Sequence, residues 1–256
     1  MRENQIHKYS EILSRLTSSL DGAGTRLLLG TIEDRSVSHP IEKIVLGHGN
    51  SKRVLISAGI HGDEPAGVET ICSFIEGREF LKFVQSWEIT LIPCINPFGY
   101  ENGTRFNHEG VDLNRKFKCP SPPREVTLVQ SVFQVPFDLT MELHEDEDSS
   151  GYYLYHSGVS ELKTDLPRRI LDEVQTVMPI NTDSEIDGSS ANQGVIDRLP
   201  DPESMEWWPM ALYSWSKGTH TCMTLETAPQ FAMEKRINAH LKAIRTALEA
   251  FPGRRI

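Results

Sequence analysis

A chain of 256 residues, 38% hydrophobic and 24% charged, has room for one α/β domain with a sizeable buried core, and residues 1–256 read as a single unit. Its formal net charge of −10 speaks against nucleic acid or an anionic membrane as the main partner, because both reward a basic surface. Nor does any apolar run approach the ~18 residues that a membrane-spanning helix needs.

From the N-terminus, residues 6–20 place Ile6, Tyr9, Ile12, Leu13, Leu16 and Leu20 at a helical period, and Gly22 and Gly24 stop it. The first ten residues are polar and lack the apolar stretch of a secretory signal. Residues 26–32 and 41–46 predict strands separated by a polar turn around His39-Pro40. Residues 53–60 predict a buried central strand running into Gly59-Ile60-His61-Gly62. Pro65 then opens a helix to about residue 76, since proline suits the first helical turn. Residues 88–95 form a second buried strand, followed from Asn96-Pro97 to about Phe117 by a loop rich in glycine, asparagine and charge. Residues 122–134 predict a helix, and 137–143 a third apolar strand leading into His144. Residues 161–177 read as a helix interrupted near Pro167, and 181–209 as a long surface loop. A last short strand over 221–225 ends at Glu226, and 231–251 form a closing helix.

Strands alternating with helices predict an open, largely parallel sheet covered on both faces, with ligand sites at the carboxyl ends of its strands. His61, Asn96, His144 and Glu226 each fall at such an end. The four cysteines (Cys72, Cys94, Cys119 and Cys222) are far apart, and three sit in apolar surroundings. Free thiols in a reducing, cytoplasmic setting are the expectation.

Four features carry chemistry. His61-Gly62-Asp63-Glu64 sets a histidine and a glutamate three apart where a strand enters a helix, so both can turn toward one point. Alone, that spacing arises often by chance. His144 gains its meaning by supplying a third ligand, because two histidines and a glutamate form a catalytic zinc set with a fourth position left for water. Glu226 ends an apolar strand, where a carboxylate is costly to bury unless paired. It either caps the following helix or takes a proton from an attacking water. Arg105, Asn114 and Arg115 lie in the polar loop, where arginines suit a bidentate grip on a carboxylate and support of an oxyanion.

In order, HGDE (61–64), NPFGY (96–100), GTRFNHEGVDLNR (103–115), the strand-end His144 and TLET (224–227) resemble the M14 metallocarboxypeptidases over about residues 36–245. The resemblance implies one catalytic domain with a mixed, largely parallel eight-stranded sheet and helices on both faces. It also implies one Zn2+ held by His61, Glu64 and His144, with Arg105 polarising the scissile carbonyl. Asn114 and Arg115 would grip the substrate's terminal carboxylate, and Glu226 would be the general base. The implied substrate is a peptide or acylated amino acid with a free carboxylate.

Departures from the family pattern are informative. Asp63 stands where the digestive enzymes carry an arginine, which resembles small bacterial members. Tyr213 lies too close to Glu226 to match their mobile tyrosine and is expected to pack, as are Trp207, Trp208 and Trp215. The acidic run 145–148 is expected as a solvated loop that could repel anionic substrates or recruit a second cation. Two other readings stand beside the peptidase. One is a deacylase of the aspartoacylase/succinylglutamate desuccinylase type; the other is a non-catalytic binding protein on the same fold.

Overall fold

The computed structural model describes residues 7–34, 37–158, 165–197 and 204–252. In chain order these form α1 (Tyr9–Leu20), β1 (Gly24–Asp34), β2 (Val37–Leu46), β3 (Lys52–Ala58), α2 (Pro65–Glu76), β4 (Trp87–Ile92), α3 (Pro97–Asn102) and α4 (Arg124–Gln130). There follow β5 (Leu139–Glu145), β6 (Tyr153–Gly158), α5 (Leu166–Val174), the two-residue strands β7 (Glu185–Ile186) and β8 (Ser189–Ser190), β9 (Val195–Asp197), α6 (Met210–Ser216), β10 (Thr221–Thr227) and α7 (Met233–Ala250).

Eight strands share one mixed sheet in the order β1-β2-β4-β3-β5-β10-β6-β9. The central run from β4 through β3 and β5 to β10 is parallel, and so is β6 with β9; the remaining pairs are antiparallel. β5 is buried at every residue, as a strand covered on both faces must be. Its odd-numbered residues Leu139, Met141 and Leu143 join the larger core, beneath α1, α2, α5 and α7. Thr140, Glu142 and His144 alternate to the other face, where Ser214 of α6 approaches Thr140. A smaller core there combines Val126 and Val129 of α4 with Met210 of α6. The eight-stranded α/β sheet with helices on both faces is therefore present.

Several boundaries differ from expectation. The burial of Tyr9, Ile12, Leu16 and Leu20 follows the predicted period of α1, while Ile6 lies outside the described residues. His39 and Pro40 form no turn; they pair with Ile32 and Thr31 inside β2. Proline is tolerated there because β4 pairs with β2 only at 44–46, so Pro40 has a ladder on one side alone. The expected loop after Asn96 contains α3 and a 3-10 turn at Leu113–Arg115. Asn96 Oδ1 accepts from the Gly99 amide at 2.9 Å, Pro97 opens the helix, and Gly103 at φ +58° closes it. α4 is shorter than predicted. Pro167 lies in the first turn of α5 and does not interrupt it; residues 161–164 of the predicted helix lie outside the described residues. β6 and α6 had no counterpart in the sequence reading, and β9 adds the edge strand from within the expected 181–209 loop, of which 198–203 lie outside the described residues. All four cysteines are free. Among the described residues no helix is long and apolar enough to cross a membrane.

Candidate metal centre

The carboxyl ends of β3, β5 and β10 meet on one edge of the sheet. Parallel register sets His144 opposite Glu226, and Ala58 opposite Leu143, so the chain leaving β3 passes beside His144. That chain is His61-Gly62-Asp63-Glu64. It lies against the first turn of α3 so closely that a Cβ on Gly62 would sit 1.9 Å from the Gly99 carbonyl carbon. Only glycine permits this contact, which brings the HGDE and NPFGY segments together.

Glu64 occupies the N-cap of α2 yet makes no capping hydrogen bond. The Ala66 amide donates to Glu145 Oε1 at 2.7 Å, so the cap comes from the neighbouring strand end. Glu64 instead faces two imidazoles. His61 Nδ1 lies 2.6 Å from its Oε1, and His144 Nδ1 lies 2.8 Å from its Oε2. Ligand atoms of all three residues fall within 4.8 Å of one another, and all three are buried.

Asp112 ties the surroundings together. Its Oδ1 lies 3.2 Å from His61 Nε2 and accepts from the Asn114 amide at 3.0 Å, while Oδ2 accepts from Arg105 Nε at 3.0 Å. With the Nε2 proton committed to Asp112, His61 presents the Nδ1 lone pair to the shared point. Arg105 also stands 3.5 Å from Glu64 Oε1. Asn114 Oδ1 accepts from the Met210 amide at 2.9 Å, which leaves its NH2 group as the donor on the cavity side. The Arg115 guanidinium lies 4.0 Å over the Trp207 ring.

Charge is concentrated here. Burial pushes the Glu64 carboxyl up, but His61 and His144 outweigh it and hold it well below the carboxylate range. Burial lowers His144, and Glu64 with Glu142 outweighs that, so the imidazole is raised. Asp112 is likewise depressed despite its burial, through His61, Arg105 and Arg115. Glu226 is raised by burial, which prevails over His144; Glu64, Asp146 and Asp187 raise it further. The cavity above these groups measures about 470 Å³ and is lined by eight carboxylates against two guanidinium groups, Arg105 and Arg115. Two imidazoles and a buried carboxylate, set among so much negative charge, fit a divalent metal ion.

The seven residues given a role at this site from the sequence line the cavity: His61, Glu64, Arg105, Asn114, Arg115, His144 and Glu226. Asn96 does not; it caps α3. Glu145 is not solvated as expected but buried, because it caps α2 and pairs with Arg236. Trp207 lines the cavity, against the expectation of packing, whereas Tyr213 packs on Phe117 and Phe133 as anticipated.

Sequence reasoning missed Asp112, although a carboxylate two residues before Asn114-Arg115 in VDLNR was visible. It also missed the side of the cavity toward β6. There Asp187 and Gly188 form the two-residue turn between β7 and β8, a familiar hairpin signal, and Asp187 Oδ2 accepts from the Tyr155 hydroxyl at 2.5 Å. Asp146 Oδ2 accepts from Tyr153 in the same way at 2.9 Å.

Residues 50–161 match the family of succinylglutamate desuccinylase/aspartoacylase catalytic domains. Over 63 residues the chain is 41% identical to murein peptide amidase A of Escherichia coli (strain K12), covering 25% of this chain and 24% of that protein. The match thus spans about a quarter of the curated relative's length. A candidate metallopeptidase from Shewanella amazonensis SB2B superposes with a TM-score of 0.81 at 21% identity, over 99% of this chain and 98% of that one. A metallo-carboxypeptidase from Burkholderia cenocepacia gives 0.70 at 17% identity, over 95% and 69%. At these identities the structures speak to fold. The resemblance drawn from the motifs stands, and the chain has a metallocarboxypeptidase-like fold with a candidate metal site.

Proposed function

We propose that the chain is a zinc-dependent hydrolase that cleaves a peptide or amide bond next to a free carboxylate. The observation that carries this reading is the convergence of His61, Glu64 and His144 beneath a cavity that Glu226 and Arg105 also line. These three hold the metal in this proposal. When bound, zinc supplies Lewis acidity toward water and toward the scissile carbonyl.

Glu226 accepts the proton of the attacking water and later delivers it to the leaving amine. Burial raises its pKa above the ordinary carboxylate value, which strengthens it as a proton acceptor. Arg105 donates to the oxyanion that develops on the carbonyl oxygen, its guanidinium steadied by Asp112. The Asn114 NH2 group and the Arg115 guanidinium receive the substrate carboxylate and so align the bond to be cut.

The match to the deacylase family supports a second reading, hydrolysis of an N-acyl amino acid. Asp146, Glu147, Asp148 and Asp187 line the same cavity and would repel a carboxylate carried on the acyl group, which favours peptide over succinyl substrates. A cell-wall peptide is the first substrate to try, given the amidase similarity. The zinc-loaded chain should hydrolyse murein peptides or short peptides with a free carboxyl end, lose this activity when that end is amidated, and work poorly on N-acyl amino acids. Faster turnover of the N-acyl amino acids would replace the peptidase reading with the deacylase one. One zinc per chain with no hydrolysis of either class would leave a binding protein.

A further inference from the structure

α7 carries two polar residues one helical turn apart, the half-buried Arg236 and the buried His240, and both reach the strand end that bears His144. Neither is needed for the apolar stripe of that helix, which Ala239, Ala243, Ile244, Ala247 and Leu248 already provide. His240 is fully buried, with Nε2 3.2 Å from the His144 carbonyl oxygen and Nδ1 3.2 Å from the Tyr152 hydroxyl. A carbonyl can only accept, so Nε2 carries the proton and Nδ1 receives one from Tyr152.

Arg236 takes hold of the next residue, donating from Nη1 to Glu145 Oε2 in a pair whose side chains are 12% and 1% exposed. The other Glu145 oxygen receives the Ala66 amide of α2 at 2.7 Å, and the Glu145 backbone amide donates to Glu64 Oε2 at 3.2 Å. Two contacts from one helix therefore hold the His144 carbonyl and the Glu145 side chain and, through Glu145, both the first turn of α2 and the Glu64 carboxylate.

We propose that Arg236 and His240 are positioning residues for metal capture, a two-point brace from α7 that holds His144 and Glu64 in register with His61. The proposal rests on the reading of those three residues as the zinc set. A ligand set works only when its supports hold it to within about 0.5 Å. Loss of an outer partner of a metal ligand typically weakens metal binding ~10–100-fold.

The test strips the full chain of metal, then titrates it with zinc against a chromogenic chelator, with circular dichroism to select folded variants. Arg236→Met and His240→Leu should each bind zinc ~10–100-fold more weakly. Arg236→Lys and His240→Gln, which restore a donor, should recover much of the loss. The Glu145→Gln/Arg236→Met double variant should lose less than the two single variants combined, since both act through one contact chain. At saturating zinc, kcat and KM should return toward wild type, because neither side chain touches substrate.

If Arg236→Met fails to fold, with Glu145 left charged and alone in the interior, the His240→Leu and His240→Gln pair decides. Variants that lose thermal stability while keeping wild-type zinc affinity would show the contacts to be structural only and overturn the brace. A wild-type chain that takes up no zinc would instead overturn the metal reading itself.

Discussion

His144 and Glu226 face each other in the register of two buried parallel strands, whereas Arg105, Asn114, Arg115 and Trp207 sit on loops and a single 3-10 turn. The strand-end residues are placed by the ladder, and a one-residue slip would turn each to the opposite face, so their positions are tied to the whole sheet. The residues on the loops and the turn are placed by individual hydrogen bonds. Asp112 holds Arg105 and the Asn114 amide, Met210 holds the Asn114 side chain, and Asn96 caps the helix that leads to Arg105. Each such bond contributes only about 1 kcal/mol net. Apart from Asp112, which reaches both His61 and Arg105, the proposed metal site and base should therefore be insensitive to changes that disturb the loop groups, and the converse should hold as well.

The largest effect should come from the strand side. Glu226→Gln should lower kcat by ~10²–10⁴ while the zinc content per chain, measured by elemental analysis, stays at the wild-type level. Near-normal turnover in that variant would remove Glu226 from the base role. On the loop side, Arg105→Met should lower kcat by ~10²–10³ with little change in KM. Arg115→Met should do the reverse, raising KM roughly 10–100-fold for peptides with a free carboxyl end, as expected for loss of a charge-assisted hydrogen bond. A KM unchanged by Arg115→Met would place the carboxylate elsewhere in the cavity.

The same division governs what could be read in advance. The strand-end residues were legible because short apolar runs ending in His, Glu or Asn mark the carboxyl edge of a parallel sheet, and β3, β5 and β10 each fit that pattern. β6 was missed: its residues Tyr-Leu-Tyr-His-Ser-Gly present no continuous aliphatic run, and its pairing with β10 is a long-range choice that local pattern does not encode. Glu145 was taken for a solvated acid because its partners, Ala66 and Arg236, lie 79 and 91 residues away. Trp207 and Asp187 came from a stretch whose turn-forming composition says only that it is irregular. The cavity side built by such contacts becomes visible once the sheet has closed beneath it.

Metal capture offers a pH test of the strand side. A zinc-ligating imidazole must be neutral, yet Glu64 and Glu142 raise His144 above the ordinary value of about 6.5 in the metal-free protein. Zinc uptake must then expel a proton. Apparent affinity should climb by up to about tenfold per pH unit through the neutral range and level off once pH exceeds the raised value. A competition titration across pH reads this directly, and a plateau already reached below pH ~6 would mean that Glu64 and Glu142 do not hold a proton on His144 in the metal-free protein.

The smallest effect should come from the cap that supports the loop side. Asn96 is fully buried, accepts from the Gly99 amide, and donates from Nδ2 to the Arg105 carbonyl at 3.4 Å. Asn96→Ala removes both contacts and should cost ~0.5–2 kcal/mol of stability, the usual loss for an N-cap. Because α3 also seats Gly62, the substitution asks whether the cap serves Arg105 alone or the metal loop as well. The division between strand and loop requires that zinc affinity stay at the wild-type value while kcat falls a few-fold through a less well-placed Arg105. Equal losses in zinc affinity and turnover would mean that the Gly62–Gly99 contact transmits the disturbance, and that the cavity responds as one body.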